Sequence, residues 1–160
     1  MLRNVHPEDA FSICEIYNHY VSQTASTFEE NPVTPDEMRQ RIFEVTLDLP
    51  WFVCEEDGEP LGYAYASKWK ERSAYRHSVE ATVYLHPTAV GNGRGTELFG
   101  ALLCELRARK IHCIMGGVAL PNPASIALLE KFGLRQAAHF REVGYKFGEW
   151  VDVGYWQLVL

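Results

Sequence analysis

The sequence predicts a single mixed α/β domain of the α+β kind, one sheet with helices on both faces. Three observations predict it. Two alternating apolar runs meet at Asp57-Gly58, a pair suited to a tight antiparallel hairpin. From Ser78 to Leu120 a strand pattern, a long amphipathic helix pattern and a second strand pattern follow one another, as in a β-α-β crossover. The 160 residues are 47% apolar and 22% charged, which suits one core.

Residues 2–5 read as a short strand. From Glu8 to Val21, Phe11, Cys14, Ile16, Tyr17 and Tyr20 fall on roughly one face, the spacing of an amphipathic helix. TFEENPVTPDE, with Pro32 and Pro35, interrupts that pattern. Carrying Phe28, it is either a lid over a substrate or a plain connector. Thr34 and Pro35 supply the N-cap and first position of a second helix. WFVCEEDGEPLGYAYAS is the hairpin, and SVEATVYLH the third long strand. Between Thr96 and Lys110, Leu98, Leu102, Leu103 and Leu106 form the inward face of a helix. CIMGGVAL reads as a buried strand. A helix from Asn122 to Phe132 stops at Gly133, suited to a left-handed cap. Strands over about 135–146 and 152–160 close the order β-α-α-β-β-β-α-β-α-β-β.

The formal net charge of −6 argues against bulk nucleic-acid binding and leaves room for a local pocket for an anionic small molecule. No apolar run has the length of a membrane span, and MLRNVHPEDAF lacks the apolar core of a secretory signal. A cytoplasmic setting is the expectation. Cys14, Cys54, Cys104 and Cys113 make no C-x-x-C pair, so neither a metal site nor a disulfide framework is expected.

In YLHPTAVGNGRGTELFGALL, Gly91, Gly93 and Gly95 alternate with Asn92 and Arg94 between a strand and a helix. Glycine turns at positive φ and lets a ligand approach the backbone. The first amides of a helix lack partners, and its dipole favours an anion there. A phosphate fits that description, with Arg94 adding charge; a plain flexible turn is the alternative. Thr96 stands where a dinucleotide fingerprint needs glycine, and no Gly-Lys-Ser/Thr ends the run as in nucleotide-triphosphate loops.

VGNGRG resembles the Arg/Gln-x-x-Gly-x-Gly/Ala loop of the GCN5-related N-acetyltransferases, with Val90 in place of the usual Arg or Gln. LPNPASIALLEKFGL is similar to the family's second motif, matched by Asn122 and Gly133. Two further blocks resemble the branch that acts on phosphinothricin and methionine sulfoximine. In GYAYASKWKERSAYRHSVEATVYLHP the matches are Trp69, Lys70, Arg72, Ala74 and Tyr75. In GYKFGEWVDVGYWQL they are Gly144, Tyr145, Lys146, Gly148, Trp150, Asp152, Gly154, Trp156 and Gln157. The resemblance implies a mostly antiparallel sheet splayed in its middle. It implies acetyl-CoA as cosubstrate, no metal, and a homodimer. The implied reaction is direct transfer of acetyl to the primary amine of a small amino-acid analogue in a ternary complex.

Residue by residue, the resemblance puts the thioester beside the backbone of Val83, Tyr84 and Leu85. It puts the diphosphate on Gly91, Asn92, Gly93, Arg94, Gly95 and Thr96, and further cofactor contacts on Asn122, Ser125 and Lys131. Asn122 is equally an ordinary N-cap, and Ser125 and Lys131 equally surface residues. Glu80 is the candidate proton acceptor, directly or through a water; a salt bridge to Arg76 or His77, or an outward edge position, is the alternative. Many relatives protonate the leaving thiolate with a tyrosine that is Leu129 here. A thiol of pKa about 8.5 can leave without such an acid. Arg76 is expected to grip the acceptor's acidic group, with Arg72 as second choice. Phe28, Trp69, Ser73, Ala74, Tyr75 and Tyr145 are expected around the acceptor, although aromatics also serve as plain core. Two rival functions are acetylation of protein or peptide amines and a non-catalytic acyl-CoA sensor.

Overall fold

The computed structural model describes residues 1–160. The chain runs β1 (Leu2–Asn4), α1 (Ala10–Gln23), α2 (Pro35–Thr46), β2 (Trp51–Glu56), β3 (Glu59–Lys68), β4 (Ser78–Leu85), α3 (Arg94–Ala108), β5 (Cys113–Ala119), α4 (Pro123–Lys131), β6 (Arg135–Lys146) and β7 (Glu149–Val159). The expected element order is the observed one. Local chemistry accounts for much of it. Thr34 caps α2 through the Glu37 amide, and Glu37 returns a bond to the Thr34 amide.

The seven strands form one sheet in the order β1-β2-β3-β4-β5-β7-β6. Every neighbouring pair is antiparallel except β4 and β5. That parallel pair holds only at Ser78–Cys113, Val79–Ile114 and Glu80–Met115. Beyond it the two strands part, while each keeps its other neighbour: β4 stays on β3 as far as Leu85, and β5 on β7 as far as Ala119. The sheet therefore opens in its middle, immediately after Glu80.

A core lies on each face. Ile13, Ile16, Tyr17, Met38, Ile42 and Tyr63 pack under α1 and α2. Leu98, Leu102, Leu103 and Leu106 of α3 pack with Ile114, Leu129 and Trp156 on the other face. Burying each such leucine stabilises the fold by about 1.5–3 kcal/mol relative to exposure.

Three details differ from the sequence reading. Phe11 is 60% exposed and lies outside the core, because the buried stripe of α1 runs through Ile13, Cys14, Ile16, Tyr17 and Val21. Helix α3 starts at Arg94 rather than Thr96, because the Gly93 carbonyl already accepts the Glu97 amide at 3.1 Å. β7 starts at Glu149 rather than 152. Phe147 and Gly148 both take left-handed φ, of 52° and 74°, and close a two-residue hairpin.

Candidate active site

The parting of β4 from β5 leaves a cleft of about 550 Å³. Ala81–Leu85 form one wall and Gly116–Ala119 the other. Val90, Gly91, Gly93, Gly95 and Thr96 close one end, and Asn122, Ser125, Leu128 and Leu129 come from α4 and its cap.

The strand register decides which backbone groups face this cleft. The His86 amide donates to the Leu61 carbonyl at 2.8 Å and the Trp69 amide to the Ser78 carbonyl at 3.3 Å. Bonding alternates along an antiparallel ladder. Residues 78, 80, 82 and 84 therefore turn their peptide groups to β3, and Ala81, Val83 and Leu85 turn theirs to the gap. The Leu85 carbonyl is occupied there, accepting the Tyr20 hydroxyl at 2.6 Å. Of the three residues expected at the thioester, Val83 and Leu85 present backbone to the cleft. Tyr84 borders it, but its peptide groups point at Tyr63 and its ring packs on Tyr17, Tyr20 and Tyr63.

Gly91 and Gly93 have φ of 87° and 77°. No atom lies within 4 Å of where their Cβ atoms would stand, so the backbone conformation, not crowding, excludes side chains there. The bare loop and the open N-terminus of α3 fit a diphosphate. Lys131 borders the same place, its Nζ donating to Thr96 Oγ1 at 3.3 Å. Asn122 is an N-cap, its Oδ1 accepting the Ser125 amide at 3.1 Å, and both residues also line the cleft.

The Arg94 side chain goes elsewhere. Its Nη2 lies 3.1 Å from Glu56 Oε2 at the β2–β3 hairpin, and its Nε is buried without a partner. Neither Arg94 nor Asn92 lines the cleft. A guanidinium paired over the hairpin and carrying an unmatched donor adds little stability. Arg94→Leu is therefore expected to change the KM for acetyl-CoA by less than about threefold and leave the melting temperature unchanged or raised. Steady-state kinetics and a thermal melt read both.

Glu80 occupies the fork. A Cβ on Gly117 would stand 2.8 Å from Glu80 Oε1 and 3.0 Å from Tyr155 Cε1, so only glycine at 117 lets the carboxylate reach this close to β5. Arg76 does not pair with Glu80; its guanidinium folds back to the Ser73 carbonyl at 3.1 Å. Burial pushes the Glu80 carboxyl above its ordinary 4.5, and the nearby Lys70 charge offsets only part of that. Burial and the Glu80 charge push the Tyr155 phenol up, so it stays protonated at neutral pH.

A second cavity, of about 610 Å³, is lined by Tyr155 and Lys70, which neighbour Glu80; Glu80 itself lines neither cavity. Phe28, Trp69, Met115 and Gln157 also line the second cavity, with apolar residues of β6 and β7. Trp69 meets Tyr155 edge-on at 5.2 Å, and Lys70 Nζ lies 5.2 Å from the Trp69 ring centre. Glu80 thus sits between the cavities, with Gly117 lining the first and Lys70 and Tyr155 the second.

Of the residues expected around an acceptor, the structure brings Phe28 and Trp69 to this cavity and leaves the others out. Ser73, Ala74 and Tyr75 form an exposed 3-10 turn that leaves the sheet before β4 begins, and it takes Arg76 with it. Tyr145 is 56% exposed and packs on Trp150 at 4.8 Å, because alternation along β6 turns it away from the face of Gly144 and Lys146. Sequence reasoning missed Tyr20, Gly117 and Tyr155. The Gly116-Gly117 pair inside a buried strand was the available signal for a close approach.

A sheet opened at its one parallel pair, a bare glycine cradle at a helix mouth and a lone carboxylate at the fork define a group-transfer enzyme working from a phosphate-bearing carrier. The chain belongs to the GNAT acetyltransferase family: the family model described as acetyltransferase (GNAT) domain matches residues 2–154. It is 40% identical over 154 residues to the phosphinothricin N-acetyltransferase of Streptomyces coelicolor, covering 94% of this chain and 90% of that protein. It is 36% identical over 161 residues to the L-methionine sulfoximine/L-methionine sulfone acetyltransferase of Salmonella typhimurium, covering 99% and 94%. Among solved structures, a GNAT superfamily phosphinothricin acetyltransferase from Sinorhizobium meliloti in complex with AcCoA superposes with a TM-score of 0.97 at 34% identity, covering 100% of this chain and 88% of that one. The chain is an acetyltransferase, and its acetyl donor is acetyl-CoA.

Proposed function

We propose that the protein transfers acetyl from acetyl-CoA to the primary amine of a small amino-acid analogue of the phosphinothricin, methionine sulfoximine or methionine sulfone type. One observation carries the reading: Glu80 stands between the carrier cleft and a second, aromatic-walled cavity of about 610 Å³ that holds one cation, Lys70. That volume suits a free small molecule.

The diphosphate lies on the amides at Gly91–Thr96, and pantetheine runs between the parted strands. The acceptor enters the second cavity with its acidic group towards Lys70 and its ammonium towards Glu80. Glu80 takes a proton from the ammonium, directly or through one water, and frees the lone pair. The nitrogen attacks the thioester carbonyl, and the charge growing on its oxygen is met by amides of the opened β4 edge. The nitrogen gives up a second proton to solvent water, the intermediate collapses, the C–S bond breaks, and the neutral amide and coenzyme A thiolate leave. With Leu129 offering no proton, a thiol of pKa about 8.5 departs without a dedicated acid.

A cytoplasmic setting is part of the reading, and the net charge of −6 supports the lack of a nucleic-acid partner. A homodimer is part of the reading. Tyr145 and Trp150, exposed and packed on each other on the side of the β6–β7 hairpin away from the second cavity, support a face that a second copy would cover.

A thiol-release screen at fixed acetyl-CoA tests the reading. Thiol release with the free analogues, and none with peptides, is the expected result. Release with peptides alone would replace it by acetylation of protein amines. No release with any amine would leave a carrier-binding sensor.

A further inference from the structure

The GYKFGEW block has no part in the chemistry above, yet two of its residues hold up the segment between α1 and α2. That segment crosses both cavities: Ser26 lines the carrier cleft and Phe28 the second cavity. Its far end is tied to the helices. Asn18 bonds both the amide and the carbonyl of Val33 at 2.8 Å. Glu29 takes two bonds from Arg41, at 2.8 and 2.5 Å. Its tip is tied both to α1, through a 2.8 Å bond between the Tyr17 and Thr27 hydroxyls, and to β6. Lys146 Nζ donates to the Thr27 carbonyl at 2.7 Å, and two residues earlier a Cβ on Gly144 would overlap the Phe28 ring.

Lys146 is only 2% exposed, and its charge is neutralised by no direct ion pair, Glu29 and Glu30 acting only from a distance. The ammonium meets one carbonyl and, 5.0 Å away, the centre of the Phe147 ring; with no anion in contact its burial is still costly, and an apolar side chain of that length would pack at lower cost. Stability therefore gives no account of a lysine there; a fixed Thr27 does. With Thr27 held, the next residue lays its ring on the bare backbone of Gly144 and forms one wall of the second cavity.

We infer that Lys146 is a positioning residue for acceptor specificity: its bond to Thr27 seats Phe28 on Gly144 and so sets the size of acceptor the cavity admits. This rests on the reading that the second cavity is the acceptor site. Misplacement of a wall by about 1 Å is enough to cost a large factor in a positioned reaction.

The test measures thiol release with methionine sulfone and with the bulkier tryptophan. The variants are Lys146→Met, Phe28→Ala, the double variant, and Met115→Trp, which fills the cavity from β5, away from the segment. Lys146→Met is expected to raise the KM for methionine sulfone about tenfold or more with the KM for acetyl-CoA within about twofold. Preference for methionine sulfone over tryptophan should narrow by about the same factor. Phe28→Ala should do likewise, and the double variant should be no worse than either single change. Additive losses, or an acceptor KM unmoved by Lys146→Met while Met115→Trp raises it, would overturn the inference and leave the acceptor site standing. An acceptor KM unmoved by Met115→Trp would sink the site, and the inference with it. Should Lys146→Met fail to fold, Gly144→Ala displaces the ring without touching the lysine; an unchanged acceptor KM there overturns the inference too.

Discussion

Glu80→Gln is expected to lower kcat by about 10²–10⁴-fold, the range lost with a general base, while the affinity for acetyl-CoA stays within about twofold. Glutamine keeps the size of the side chain and loses its basic lone pair. Glu80 lines no part of the carrier cleft, and glutamine fills the same space beside Gly117. In the wild type, kcat/KM should rise with pH through the Glu80 pKa, which burial holds above 4.5. That limb should vanish in the variant. Stability should move the opposite way. A carboxyl whose folded pKa exceeds its unfolded value binds its proton more tightly when folded, so ionising it at neutral pH costs stability, and the cost disappears as pH falls to about the unfolded value. Glu80→Gln should therefore melt at a higher temperature than wild type at pH 7.5, with the gap closing towards pH 4.5. Kinetics by thiol release and paired melts measure both. Turnover unaltered by the change would remove Glu80 from the mechanism.

Gly93→Val should raise the KM for acetyl-CoA about tenfold or more and lower the unfolding free energy by about 1–3 kcal/mol. Gly93 holds φ of 77° at the N-cap of α3, a conformation that a β-branched residue resists. Forcing it back rotates the amides that meet the diphosphate, and the added methyls stand in the open space where that group would lie. Gly58→Val is the control. Gly58, on the β2–β3 turn, has φ of 84° and the same empty surroundings but lies away from the cleft. It should lose comparable stability in a urea titration and keep its KM. Equal KM changes in the two variants would mean that strain alone, not loss of the cradle, explains the effect.

How far the sequence could be read depended on how local the cause was. Asp57-Gly58, the Thr34–Pro35 start of α2, the leucine stripe of α3 and the Gly91–Gly95 loop each carry their own turn, cap or period, and each lies where its pattern put it. Side chains whose direction depends on distant partners were not legible. Arg94 sits in the predicted loop, but a carboxylate on another element draws its guanidinium away. Arg76 precedes the Glu80 strand, but a 3-10 turn carries it out of both cavities. Tyr145 lies beside Lys146, and alternation along one strand sends one to solvent and the other inward. Phe147 hid a tight turn because phenylalanine is a poor turn former. The meeting of Glu80, Gly117 and Tyr155 joins three strands far apart in the chain, and no period or spacing announces it.

A crystal structure with coenzyme A and methionine sulfone bound together tests the central claim most directly. The account predicts pantetheine between 81–85 and 116–119, with the acceptor amine beside the Glu80 carboxylate, in contact or bridged by one water. An acceptor lodged instead at the exposed turn of Ser73–Tyr75, its amine remote from Glu80, would contradict it.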